Sequence, residues 1–374
     1  MFNIKQKVFN SKINLLTNLN FNKMKKIILL FAIALISFVA CQDSTEEVIV
    51  EQQSKIDMSN FYVYSDEGAD LLEKSSNSRN CHSMKVLNKK LNQNPGLFKK
   101  MYDIEYNTRK AIAAKGKPGG GNGNGNGGGG TTDPTPYTGA INIPVVVNIL
   151  ENNSGDVTQA QINSQIAILN EDFNNNNPNT SSAPAEFAGL VADVNITFTV
   201  ATINRKISTK SSWGTNDAMK DSSQGGIDAT DSSTYLNIWV CNIGGGILGY
   251  AQFPGGAAAT DGVVIGSDYF GETGGVYGDG RTATHEVGHW LNLRHIWGDG
   301  RCKQDDFVAD TPSSDRSNGG CPTYPTVHCR TTDMTMNYMD YVYDDCMYMF
   351  TEGQNDRMRA LFAEGGAKAS FVVN

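Results

Sequence analysis

His285-Glu286-Val287-Gly288-His289-Trp290-Leu291-Asn292-Leu293-Arg294-His295 decides the reading of this chain, because three of its five histidines fall within this one stretch. His285 and His289 are four apart, so on a helix they share one face, about a turn from each other. Both imidazoles can then present a nitrogen to the same ion. Glu286 stands beside the first, where its carboxylate reaches an ion-bound water without becoming a ligand. His295 comes too late to continue on that face, so the chain must turn between His289 and His295. Asn292 suits the turn, since Asn tolerates the left-handed conformation better than any residue except Gly. Three neutral nitrogen ligands with a fourth position open describe a catalytic zinc site, whereas a structural one is closed by four protein ligands. A chance match on a buried helix is the plain alternative for the shorter His285–His289 pattern, and the third histidine weighs against it.

Working outward, 39 acidic against 31 basic residues give a net charge of −8, which argues against a nucleic-acid partner. The length admits two domains, but the uneven composition favours one ordered catalytic unit. Met24-Lys25-Lys26 opens an almost wholly apolar run from Ile27 to Ala40, followed by Cys41. That describes a secretory signal, because a permanent span needs about 20 apolar residues. Phe38-Val39-Ala40-Cys41 resembles a bacterial lipobox, with Phe38 where Leu is usual. The resemblance implies cleavage before Cys41 and lipidation of its sulfur, a membrane anchor in place of a span. Asp43, Glu46 and Glu47 are similar to the acidic tether of surface lipoproteins; ordinary signal cleavage is the alternative. Residues 1–23 read as an over-extended start, with Met24 the initiator.

Residues 42–115 are polar, with helical periodicity from about Met84 to Ala114 interrupted at Asn94-Pro95-Gly96. The Gly/Asn tract within 116–136 cannot pack and reads as a flexible tether, a natural place for activating cleavage. A catalytic domain then spans 137–374. Ile141–Leu150, Val194–Ile203 and Tyr235–Ile243 read as strands, the last central and holding Cys241 as a small core residue. Pro144 suggests an early or edge position for the first strand. Ile162, Ile166, Leu169 and Phe173 mark an amphipathic helix over the sheet. One of the extended pieces 249–254 and 262–265 should be the edge strand beside the cleft, open to backbone pairing with an extended peptide. Thr282 or Thr284 is the expected cap of the histidine helix.

Beyond His295, Cys302, Cys321, Cys329 and Cys346 read as two disulfides in an exported chain, with three pairings open. A zinc cluster of cysteines is disfavoured because no CxxC pair appears. Asp305, Asp306, Asp310 and Thr311 offer oxygen ligands to calcium, solvated acids being the plain alternative. Thr351-Glu352-Gly353-Gln354 is a capping box for a last helix with Met358, Leu361 and Phe362 inward.

The 285–295 stretch resembles the metzincin zinc-peptidase signature HExxHxxGxxH, with Asn292 in place of the Gly. Arg79-Asn80-Cys81-His82-Ser83, Asn94-Pro95-Gly96 and Glu105-Tyr106-Asn107-Thr108-Arg109 resemble the propeptide of the pappalysin/cytophagalysin (M43) branch. His82 departs from the Gly or Ala usual there. The resemblance implies an α+β zincin, a mixed twisted sheet with helices above a zinc cleft and an irregular, disulfide-stapled C-terminal subdomain. It implies residues 42–115 as a propeptide whose Cys81 ligates zinc in a latent form, and Cys302–Cys329 and Cys321–Cys346 as the disulfides. Asn337-Tyr338-Met339-Asp340-Tyr341 resembles the Met-turn, with Met339 packing beneath the histidines and Tyr341 donating to the developing oxyanion. A methionine-rich core patch is the bland alternative, given Met334, Met336, Met347 and Met349. The implied activity is zinc-dependent cleavage of protein or peptide substrates by an exported monomer, with Glu286 as general base. A taste for basic residues beyond the scissile bond would fall to Asp340 or the Asp344-Asp345 pair. The competing class is a surface-anchored binding module on the same scaffold.

Overall fold

A computed structural model describes residues 56–65, 79–116 and 134–372; the signal-like segment with Cys41 and nearly all of the Gly/Asn tract lie outside them. The described residues belong to one unit that begins at Ile56.

The sheet is built on β1 (Ile141–Glu151), whose Val-Val-Val-Asn-Ile-Leu core is buried on both faces, the pattern of a strand inside a parallel sheet. β2 (Ile196–Ile207) pairs parallel with it on one side and β3 (Leu236–Cys241) parallel on the other. β5 (Val263–Gly266) continues parallel beyond β3, and β4 (Gly249–Ala251) closes the edge antiparallel, giving the order β2-β1-β3-β5-β4. β3 is thus central, as its uniform apolarity suggests. Pro144 does not mark an edge strand. It pairs in register with Thr199 of β2, and the pairing with β3 starts only at Val145, so the missing N–H costs little there.

The crossover from β1 to β2 carries α3 (Gln159–Phe173), opened by a reciprocal Thr158/Gln161 capping box. Ile162, Leu169 and Phe173 join Ile143, Val145, Val147 and Ile149 in the main core. Ala283, Val287 and Trp290 of the histidine helix α4 (Arg281–Trp290) pack into the same cluster. The opposite sheet face, with Trp239, Cys241, Tyr250 and Val264, is covered by Trp213 and Met219.

Ahead of the sheet, α1 (Ser83–Gln93) and α2 (Pro95–Lys115) form a helical pair, broken where Asn94 caps α2 and Pro95 occupies its first turn. Beyond α4 the chain is mostly irregular, stapled by Cys302–Cys329 and Cys321–Cys346, the pairs that the resemblance implies. It ends in α5 (Glu352–Ala360), opened by the Thr351/Gln354 capping box, with Met358 buried. This is the expected α+β architecture.

Candidate active site

α4 does not begin on either expected threonine. Gly280, at φ +73°, takes the cap position without a side-chain bond. Thr284 donates instead to buried Asp172 at 2.6 Å, and Thr282 accepts from Arg79 at 2.9 Å. Both hydroxyls are recruited by tertiary partners, which outweigh the local capping preference.

His285 and His289 project from one face of α4, and the helix stops at Leu291 because Asn292 adopts φ +71°. That residue turns the chain so that His295 faces the other two. The three rings lie 4.5–5.2 Å apart, centroid to centroid. Their outer nitrogens are all engaged: His285 Nδ1 with the Tyr338 carbonyl at 2.7 Å, His289 Nδ1 with the Leu293 carbonyl at 2.8 Å, and His295 Nδ1 with the Asp299 carboxylate. These bonds fix the tautomers and turn the Nε2 atoms inward. His285 Nε2 is buried and has no hydrogen-bond partner. The Nε2 atoms and Cys81 Sγ form a group of candidate ligand atoms within 4.8 Å of one another. Burial, followed by the neighbouring imidazoles, holds His285 far below its usual pKa; burial lowers His289 to about 3. Both are neutral, the form that ligates. A buried polar atom without a partner, facing two more nitrogens and a sulfur, fits a tetrahedral soft-to-borderline cation such as zinc.

Glu286 is fully buried beside this cluster, and burial pushes its carboxyl up to about 7. Oε2 accepts from Ser83 Oγ at 2.6 Å and Oε1 has no partner. Ser83 Oγ also accepts from the Ala251 N–H on β4 at 2.7 Å. Around it the 79–83 stretch pairs with β4 in the parallel sense, through Leu248 N to Asn80 O, His82 N to Gly249 O and a Cys81–Gly249 bridge. β4 is therefore the cleft edge, and it is occupied.

Met339 lies under α4, its sulfur so close to Gly288 that a Cβ there would meet it at 2.5 Å. The Tyr341 ring rests on His285 and His295, and its hydroxyl faces the Cys81 carbonyl at 3.5 Å. Arg79 is fully buried: it pairs with Asp344, bonds Thr282 and lies over the Tyr277 ring at 5.0 Å. Asp340 is not a pocket residue. It accepts from the N–H and amide of Asn318 and from the Tyr341 N–H, holding the turn. Asp306 accepts from Thr311 and Val308, and Asp310 from Thr351 and Gly353, so these acids already serve the protein's own donors. Among the described residues they form no ligand cluster. Ser83 and Asp299 are the functional contacts that the sequence left unassigned. Asp299 had a signal, four residues after His295 and between two glycines.

The family model described as pregnancy-associated plasma protein-A, of the M43 peptidases, matches residues 220–363. The extracellular metalloprotease 1 of Coccidioides posadasii is 34% identical over 231 residues, 59% of this chain and 75% of its own length. Mature mirolysin of Tannerella forsythia, solved with a cleaved peptide, is 46% identical with a TM-score of 0.61, covering 63% of this chain and 96% of its own. The chain belongs to the M43 metallopeptidases. A promirolysin mutant from the same organism extends the likeness to 78% of this peptidase and 97% of its own chain, at 37% identity and a TM-score of 0.67. This M43 chain is accordingly a metzincin-type zinc endopeptidase of protein or peptide substrates. The binding-module alternative falls away.

Proposed function

We propose that His285, His289 and His295 hold the zinc through Nε2, and that Glu286 is the general base. The observation that carries this is the inward convergence of those nitrogens around the buried, partnerless His285 Nε2. Zinc bound there would supply Lewis acidity and bring the pKa of an attacking water near ~7. Glu286, whose Oε1 has no hydrogen-bond partner and whose Oε2 is released once Ser83 leaves, receives that water's proton and returns it to the departing amine. The Tyr341 hydroxyl, released from the Cys81 carbonyl, donates to the oxygen of the scissile carbonyl. β4 positions the substrate backbone.

Residues 42–115 act as a propeptide and 137–374 as the catalytic domain, with cleavage in the 116–136 tract. Cys81 keeps the precursor silent. Burial, then Glu286, hold its thiol well above the usual range, so coordination itself must deprotonate it. Asp344 shapes the pocket for basic side chains, on the pattern of Arg79. The protein is exported, like relatives named extracellular, and works as a monomer carrying a lipid on Cys41.

The test pairs zinc analysis with a fluorogenic peptide assay. Glu286→Ala is expected to retain stoichiometric zinc and lose activity by about 10³-fold or more; His289→Ala should lose both. A Glu286→Ala protein that cleaves at the wild-type rate would end the assignment.

A further inference from the structure

Phe307 sits at φ +65° at the centre of a cation–aromatic cluster. The guanidinium carbons of Arg294 and Arg357 lie 5.3 and 5.5 Å from its ring centroid. Into this platform the N-terminal part of the chain inserts two rings, a carboxylate and the Arg109 guanidinium, which lies 4.9 Å from the Phe307 ring centroid and pairs with Glu105 at 2.8 Å. Phe61 and Tyr62 pack on Phe307 at 6.0 and 5.3 Å, and Tyr62 also stacks under Arg294 at 4.2 Å. The Tyr62 hydroxyl donates to the Asp305 carbonyl at 2.8 Å and accepts from its N–H at 3.0 Å. Glu105 meets Arg357 with both oxygens, at 3.1 and 2.5 Å. Beside them, Phe253 is the one residue after the tether in a small core otherwise made by Val63, Met84, Leu87, Leu91, Leu97 and Met101.

Sorting these by side of the tether gives an asymmetry. Arg294, Arg357, Phe307 and Phe253 stay with the catalytic domain. Phe61, Tyr62, Glu105 and the aliphatic cover depart with the propeptide. Arg294 then loses the Tyr62 ring and carbonyl while keeping Asp299 at 3.8 Å, Arg357 loses the Glu105 carboxylate, and both keep the Phe307 ring. Arg294 is 6% exposed, and its Nη2 already lacks a hydrogen-bond partner. The patch adjoins the metal cluster: the Phe253 ring is 5.1 Å from His289, and Arg294 precedes His295. It also lies where β4 leads, since Phe253 follows Ala251 by two. A substrate paired antiparallel to β4, the stronger pairing, would send its N-terminal side toward Phe253. The 79–83 stretch, paired parallel, reaches the same place with its C-terminal side.

We propose that the Phe307 platform, flanked by Arg294 and Arg357, becomes in the matured enzyme an exosite for a substrate segment bearing an aromatic ring and a carboxylate N-terminal to the scissile bond. This rests on residues 42–115 being a propeptide that leaves. Ion pairing with Arg357 serves the carboxylate of such a segment, and cation–π contact with Arg294 serves its ring.

The full-length chain is matured by cleavage in the 116–136 tract and freed of its N-terminal part. It is then given two fluorogenic peptides with one scissile sequence, the longer extended N-terminally by a Tyr- and Glu-containing segment. The extended peptide is expected to show about tenfold higher kcat/KM, carried by KM. The ratio should fall toward one in Phe307→Ala, whatever that variant does to the short peptide. A synthetic peptide of residues 56–65 should inhibit cleavage of the extended peptide only. Equal rates on both peptides with active enzyme, or a ratio unchanged in Phe307→Ala, overturns the exosite alone. A matured form that cleaves neither peptide overturns the propeptide reading and the exosite with it.

Discussion

Single residues here carry geometry that composition does not advertise. Asn292 stands at φ +71° between the second and third histidines, and its carbonyl accepts from Arg357 Nε at 2.8 Å. Asn292→Ala should cost about 1 kcal/mol, because Ala tolerates the left-handed region less well than Asn. Asn292→Gly should be close to neutral; thermal unfolding and zinc titration of both variants check this. Asp172 is a second such residue. It is fully buried and gathers Thr284, Tyr338, Asn177 and Arg281, tying α3 to both the histidine helix and the turn beneath it. Burial pushes its carboxyl from 3.8 to about 6. The folded state therefore binds this proton more readily than the unfolded one, and the group's contribution to stability falls as pH rises from about 4 through 6. The stability difference between wild type and Asp172→Asn should change across that window and be flat above pH 7, which denaturant titrations at several pH values will show. Nothing in the sequence singled out Asp172, since its partners come from three separate parts of the chain.

Elements with strong local signals were legible and those set by tertiary contact were not. The histidine spacing marked α4, the mostly apolar stretch 235–243 marked a central strand, and Thr351 with Gln354 marked α5. The start of α4 was misread because Thr282 and Thr284 look like caps yet serve Arg79 and Asp172. Of the two positions that Pro144 suggests, early or edge, β1 takes the first: it is the first strand of the chain yet lies inside the sheet, because Pro144 cannot say on which side its missing bond falls. The closeness of α4 to the turn beneath it was legible only as a resemblance. In space it comes down to Gly288, which leaves room for the Met339 sulfur. Gly288→Ala should destabilise by about 1–3 kcal/mol through overpacking. Met339→Ala in the same chain should recover part of that loss, a coupling measurable as a double-mutant cycle in Tm.

At the scale of the whole molecule, residues 79–116 are fastened to the rest of the unit at several separated points. Arg79 pairs with Asp344, Glu105 with Arg357, and Lys115 with Asp356. The buried Glu105–Arg357 pair holds an uncompensated charge if either partner goes, so Glu105→Gln should lower precursor stability by about 3 kcal/mol. Cys81→Ala should give a precursor that cleaves peptide before processing, whereas an equally inert variant would remove the thiol from the account of latency. Ser83 has a consequence of its own. One hydroxyl stands in series between Glu286 and the Ala251 N–H. On the proposed roles of Glu286 and β4, proton-accepting capacity and a free edge for backbone docking would be restored by the same departure. Maturation should consequently be all-or-none in time, with no half-competent species that docks a peptide yet fails to cut it.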